Sequence, residues 1–84
     1  MNRKLVERAQ TGVRLEKSLL KVLKALAEYC DLSLGDLLEG IVLHAFEGKA
    51  PFSAETQAAI ANLKTVYHCD LTAGDSHRLR EAGE

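Results

Sequence analysis

The hydrophobic pattern changes its period twice in the first half of the chain. Residues 11–16 alternate between apolar and polar positions, which is the period of a β-strand. Residues 17–30 and 33–45 carry apolar residues at helical spacing, and a break at Asp31-Leu32 separates the two runs. The order predicts one short strand over about residues 11–15, followed by two amphipathic helices.

Capping residues predict where the helices begin and end. Ser33 and Ser53 stand where the N-caps of a second and a third helix are expected, and Gly48 suits the left-handed position after the second helix. The four residues Thr72-Ala73-Gly74-Asp75 match a capping box, which predicts a short helix ending near residue 80. Residues 68–70 are expected to form the turn before it.

A lone strand and two amphipathic helices cannot close a hydrophobic core by themselves. The strand would present unpaired backbone N–H and C=O groups, which need a partner. A chain of 84 residues is also at the size where little apolar surface is buried. A second copy of the chain is the simplest partner, so the pattern predicts a homodimer. Its predicted core consists of Val13, Leu15, Leu19, Leu23, Leu26, Leu37, Leu38 and Ile41.

Charge is divided unevenly along the chain, although the net charge is only −1. Seven basic and three acidic residues give residues 1–30 a charge of +4, whereas four basic and nine acidic residues give residues 31–84 a charge of −5. A basic first third suggests a polyanionic partner. On charge alone, a solvated helix face is the favoured interpretation.

Other kinds of site have little support in the sequence. Cys30 and Cys69 are too few and too far apart for a disulfide framework, and the polar N-terminus lacks the apolar core of a signal peptide. No run reaches the roughly 20 apolar residues of a membrane span. We therefore expect a cytoplasmic protein without a membrane partner.

Metal binding and catalysis are not expected either. His44, His68 and His77, taken with the two cysteines, match no closed zinc pattern. The sequence contains no nucleophile elbow, phosphate-binding loop or paired-carboxylate arrangement. We expect no cofactor and no enzymatic activity.

The strand–helix–helix order resembles the ribbon-helix-helix superfamily, the Arc- and MetJ-type repressors. The residues that carry the resemblance are Val13-Arg14-Leu15, Leu19, Leu23, Leu26, Ala27, Glu28, Leu32-Ser33, Leu37-Leu38 and Ile41. It covers roughly residues 10–46. It implies a mostly α homodimer in which two strands, one from each protomer, pair antiparallel and enter the DNA major groove.

The resemblance also implies which residues would contact DNA. The base-reading residues would be Gln10, Gly12 and Arg14: arginine suits guanine and glutamine suits adenine, whereas Gly12 departs from the family by offering no side chain. Backbone N–H groups at the start of the second helix would bind a phosphate, and basic side chains would add contacts. These phosphate-contacting residues would be Ser33, Leu34, Gly35, Arg3, Lys4, Arg8 and Lys17. For the basic arm, a charged tail without contacts is an equal alternative.

Three segments follow from this interpretation. Residues 1–9 form a flexible basic arm, residues 10–48 the ribbon-helix-helix domain, and residues 49–84 a helical extension. Residues 53–84 would hold a protein partner or support assembly, as the tails of antitoxin-type family members do. The expected function is a homodimeric DNA-binding transcriptional regulator, in the manner of an antitoxin-like autorepressor. The alternative is a protein-interaction or dimerisation module that keeps the fold without reading DNA.

Overall fold

Within the described residues, three α-helices of 13 residues each form the folded part of the chain. The computed structural model describes residues 3–83, so Met1 and Asn2 of the predicted arm and Glu84 of the predicted extension lie outside the described residues. The elements are α1 (Lys17–Tyr29), α2 (Leu34–Phe46), α3 (Ala54–Val66) and a 3-10 turn (Ala73–Asp75). The expectation of a mostly α chain is confirmed.

Each helix begins at a side chain that caps its first turn. The N-cap residues Glu16, Ser33 and Ser53 accept hydrogen bonds from the backbone N–H three residues later, at 2.8, 3.1 and 3.2 Å. The Ser18 hydroxyl also donates to the Glu16 carboxylate at 2.6 Å. The pKa of Glu16 lies below its ordinary value. The hydrogen bond from Ser18 contributes most to this shift, and the hydrogen bond from Leu19 N–H contributes the next most. The N-caps predicted at Ser33 and Ser53 are therefore confirmed.

All three helices end in the same way. The residue after each C-cap, Asp31, Gly48 or His68, adopts the left-handed conformation, with φ of 56°, 69° and 55°. The N–H of this residue and the N–H of the residue after it donate hydrogen bonds to carbonyl groups of the last helical turn at 2.8–3.2 Å, which is the Schellman arrangement. Glycine adopts this conformation without strain, and Asp and His are among the residues that tolerate it. The left-handed cap predicted at Gly48 is confirmed.

Helix α1 lies between α2 and α3 and packs against both. The core is formed by Leu26, Ala27 and Leu37, each no more than 4% exposed. Partly buried side chains pack around it: Leu23, Cys30, Ile41, Phe52, Ile60 and Leu63. Helix α3 therefore covers a part of α1 within the same chain, where the sequence pattern of the first two helices suggested a second copy.

The arm before α1 has no regular secondary structure. None of residues 3–83 is in a β-strand, so the strand predicted over residues 11–15 is not formed in the single chain. A lone strand has no neighbour to satisfy its backbone hydrogen bonds, and the apolar Val13 of this segment is 72% exposed. The chain is accordingly more extended than a compact domain: its radius of gyration is 14.4 Å, compared with about 12 Å for a compact domain of this length.

The C-terminal segment is anchored next to α3. Cys69 is buried, and the Lys64 ammonium group donates to the Leu71 carbonyl at 2.6 Å. The capping box predicted over residues 72–75 is present, but it opens only a 3-10 turn. The predicted helix through residue 80 is wrong, because Ser76 is extended and His77, with φ of 64°, cannot continue a right-handed helix.

Candidate nucleic-acid interface

The arm comes into contact with the start of α2 through Arg8. Its Nε and Nη2 atoms donate to the two carboxylate oxygens of Glu39, each at 3.0 Å, and Nη2 lies 3.9 Å from Oδ1 of Asp36. Two parallel hydrogen bonds of this kind fix the orientation of the guanidinium group. The structure therefore joins Arg8 to the first two turns of α2, directly after residues 33–35, the predicted phosphate-binding turn.

The contact between Arg8 and Glu39 changes the titration of both groups. The hydrogen bond from Arg8, with a smaller contribution from its positive charge, holds the pKa of Glu39 below its ordinary value of 4.5. The same hydrogen bond raises the pKa of Arg8. Both side chains are exposed, so the pair orients the arm more than it stabilises the fold.

Acidification should release the arm from α2. The deprotonated carboxylate binds Arg8, so the contribution of the pair is complete above pH 4.5 and is lost as the pH falls through the lowered pKa of Glu39. In an NMR titration, the Arg8 Nε–Hε resonance should move with a midpoint below 4.5. In Arg8→Ala the Glu39 carboxyl carbon should titrate at a higher pH than in the unmodified protein, and an unchanged midpoint would contradict the assignment.

The N-terminus of α2 can hold an anion through its backbone. The first N–H groups of a helix have no acceptor within the helix, and the macrodipole adds a partial positive charge there. Ser33 and Gly35 are exposed, while Leu34 is partly buried. The carboxylates of Asp36 and Glu39 belong to the first two turns of the same helix and weaken this attraction. Arg8 offsets part of their charge.

The three predicted base-reading residues are exposed on the arm, with different surroundings. A Cβ atom added at Gly12 would meet no atom within 4 Å, so packing in the single chain does not require glycine there. The Arg14 side chain is 85% exposed, and its Nη2 atom lies 2.6 Å from Oε1 of Glu81. Gln10 is exposed on the segment between Arg8 and Arg14.

The remaining basic residues of the predicted interface contribute charge to the same end of the chain. Arg3, Lys4 and Lys17 are exposed, and within residues 3–83 none of the three takes part in an ion pair. Lys17 is the first residue of α1 and follows the arm directly. The structure thus joins Arg8 to α2 and leaves these three residues in solvent.

The predicted dimer core divides between two environments. Leu23, Leu26, Leu37 and Ile41 pack in the core of the single chain. Leu19 and Leu38 are partly buried, whereas Val13 and Leu15 are exposed on the arm. The helical residues of the predicted dimer core are therefore at least partly buried within one chain, and only the two arm residues remain exposed.

Helix α2 carries an apolar surface that the predicted dimer core did not include. Val42, Leu43 and Phe46 are 44%, 62% and 83% exposed, on the side of α2 away from the core residue Leu37. Their i, i+3 and i, i+4 spacing is visible in the sequence. A helix that is apolar on two sides needs two partners. We call these three residues the outer α2 face.

Residues 3–83 hold neither a metal-ligand cluster nor a helix that could span a membrane. Among residues 3–83, no three His, Cys, Asp or Glu side chains are grouped as metal ligands would be. The His44 ring is engaged locally, with Nδ1 2.7 Å from the Gly40 carbonyl oxygen of the preceding helical turn. No helix in the described part of the chain combines the length and apolar character needed to cross a membrane.

The geometry therefore joins an exposed arm, which carries Gln10 and Arg14, to the N-terminus of α2 through Arg8. The outer α2 face lies on the same helix and is uncovered. Comparison of the chain with protein-family models, with curated proteins and with solved structures gave no match.

Proposed function

We propose that this protein is a homodimeric, sequence-specific DNA-binding regulator that reads the major groove with a β-ribbon formed by two arms. The observation that carries the proposal is the contact of Arg8 with Glu39 and Asp36, which places the arm beside the N-terminus of α2. A ribbon reader needs this juxtaposition, because base contacts come from the strands while a helix N-terminus binds the adjacent phosphate.

Two exposed apolar regions support the homodimer. Antiparallel pairing of residues 11–15 from two chains would satisfy their backbone groups and cover Val13, which is 72% exposed. The outer α2 face would meet its copy in a second contact. Contiguous apolar surface of this kind is typical of protein–protein interfaces, and a two-fold dimer covers the same patch on both chains.

The chemistry of the arm suits recognition of mixed sequences. Arg14 can donate two hydrogen bonds to O6 and N7 of guanine, and Gln10 can pair with N6 and N7 of adenine. Gly12 contributes no base contact and leaves room for the ribbon to approach the groove. The carboxylates of Asp36 and Glu39 near the phosphate site lower the expected affinity.

A gel-shift experiment with the DNA upstream of the protein's own coding region tests the proposal directly. An autorepressor should shift this duplex at lower concentration than a shuffled duplex of equal length, and raised salt should weaken both complexes. Light scattering should give a mass close to two chains of 9.2 kDa. A dimer that binds no duplex, even at low salt, would remove the DNA function.

Replacing Arg14 by alanine should abolish the sequence preference and leave the dimer intact. The loss of the guanine contact should lower affinity for the preferred duplex by roughly tenfold or more, with a smaller effect on the shuffled duplex. Lys24→Ala is the matched control, because Lys24 is an exposed residue of α1 that carries the same charge. Equal losses on both duplexes would show that Arg14 contributes charge without reading bases.

A protein-interaction or dimerisation module is the second candidate function. The outer α2 face favours it, because Phe46 is 83% exposed and needs a partner whether or not DNA is bound. Both Arg8 and Arg14 already face carboxylates, which fits a chain that does not bind polyanions. Retention on heparin separates the two functions: a DNA reader should elute only at raised salt, and an interaction module should not be retained.

A further inference from the structure

We infer that Glu81 is a built-in competitor of DNA: the C-terminal segment holds its carboxylate on Arg14, and a duplex must displace it before Arg14 can reach a base. The inference rests on the proposed DNA-binding function and adds a regulatory role for residues 69–81. Arg14 and Glu81 lie 67 positions apart in the chain.

The geometry of the pair is that of a direct ion pair. Nη2 of Arg14 donates to Oε1 of Glu81 at 2.6 Å, and the two side chains are 85% and 55% exposed. A carboxylate oxygen and a guanine oxygen or phosphate oxygen are alternative acceptors for the same N–H groups. The Nη2 N–H group that donates to Glu81 cannot donate to a base at the same time, so a two-bond contact to guanine that uses Nη2 must displace the carboxylate.

A chain of contacts holds the C-terminal segment in place before it reaches Arg14. Cys69 is buried, the Lys64 ammonium group donates to the Leu71 carbonyl, and the Thr72 N–H donates to the Asp75 carboxylate at 2.9 Å. The N–H of Arg78 then returns to the carbonyl of Asp75 at 3.0 Å. These contacts limit the positions that Glu81 can take.

The same segment also forms one wall of an apolar groove of about 500 Å³. Leu71 and Leu79 line this groove together with Leu19 and Val22 of α1. Because α1 begins three residues after Arg14, a segment that shares a groove with α1 keeps Glu81 near the end of the arm. Tethering of this kind raises the effective concentration of the competing carboxylate.

The size of the effect follows from the exposure of the pair. Exposed ion pairs are weak, so displacement of Glu81 should reduce DNA affinity by only about two- to fivefold for each arm. Occupation of the C-terminal segment by a protein partner would separate Glu81 from Arg14 and remove this reduction. The segment would thereby couple partner binding to DNA binding.

Glu81→Gln tests the inference, since it removes the charge and keeps the shape of the side chain. In fluorescence anisotropy with the upstream duplex near 0.1 M salt, the affinity of the dimer should rise by about four- to twenty-five-fold, because the two- to fivefold gains at its two arms multiply. Glu28→Gln is the matched control, because it removes the same charge near the other end of α1. Glu28 lies about 18 Å along the helix from Glu16, where the arm ends, and this distance exceeds the screening length of about 10 Å. The affinity of this control variant should change much less.

A double variant separates competition at Arg14 from general electrostatics. If Glu81 acts through Arg14, the gain from Glu81→Gln should disappear in the Arg14→Ala background. A gain that persists there, or an equal gain in Glu28→Gln, would overturn the inference.

Failure of the inference can be told apart from failure of the proposed function. Binding of the duplex with equal affinity by the unmodified protein and Glu81→Gln would reject the competitor and retain the DNA function. Absence of binding by every variant would reject both. Without DNA, the Arg14 Nε–Hε resonance should shift in Glu81→Gln and stay unchanged in Glu28→Gln, and an unchanged resonance in Glu81→Gln would reject the ion pair itself.

Discussion

Leu26→Ala should lower the free energy of unfolding by about 2–5 kcal/mol. Leu26 is 2% exposed and belongs to the core cluster with Ala27 and Leu37, so removal of its side chain leaves a cavity between α1 and its neighbours. The folded state of a chain this short is stabilised by only about 4–13 kcal/mol in total. The loss is therefore a large share of the stability, and urea unfolding followed by circular dichroism should show a much lower midpoint.

Leu5→Ala is the matched control for this experiment, because it makes the same chemical change at a fully exposed residue of the arm. Its unfolding free energy should change by less than about 0.5 kcal/mol. The variants must be compared at one protein concentration, since the proposed dimerisation would make the midpoint concentration-dependent. Similar losses in the two variants would contradict the position of Leu26 in the core.

Phe46→Asp should convert the proposed dimer into monomers. Phe46 is the last residue of α2 and, at 83% exposure, the most exposed member of the outer α2 face. The substitution removes an aromatic contact from each chain and introduces two like charges across the two-fold axis. The dimer dissociation constant should rise by about a hundredfold or more, as measured by sedimentation or light scattering over a dilution series.

Val66→Asp controls for the chemistry of the change. Val66 is also the last residue of its helix, α3, and is 62% exposed, so the new charge meets the same helix dipole. This variant should keep the dissociation constant of the unmodified protein and its helical content. Two outcomes would remove the outer α2 face as the interface: dissociation by both variants, or a Phe46→Asp protein that stays dimeric.

The helix boundaries could be predicted because caps act over a few residues. Ser33 and Ser53 accept hydrogen bonds from N–H groups three positions away, and Gly48 closes α2 through its left-handed backbone. The one helix that was wrongly extended, after Thr72, shows the limit of this reasoning. A capping box indicates where a turn starts, but the length of the helix depends on the residues beyond it, and here Ser76 is extended and His77 adopts the left-handed conformation.

The candidate site was predictable in its residue types and not in its contacts. Gln10 and Arg14 stand out as base-reading side chains on an alternating segment, and their DNA contacts remain a proposal. Nothing near Arg8 or Arg14 in the sequence indicates that each meets a carboxylate, because Glu39 lies 31 and Glu81 lies 67 positions further along the chain. Those pairs arise only when the helices have packed.

The sequence by itself determined the three helices, their caps and the separation of a basic first third from an acidic remainder, since periodicity and capping depend on neighbouring residues. Only the tertiary structure decided that α3 covers part of α1 within one chain, that the outer α2 face stays exposed, and that Glu81 reaches Arg14. These outcomes depend on which apolar faces pack together, and the first two helices offer more apolar surface than one arrangement can bury.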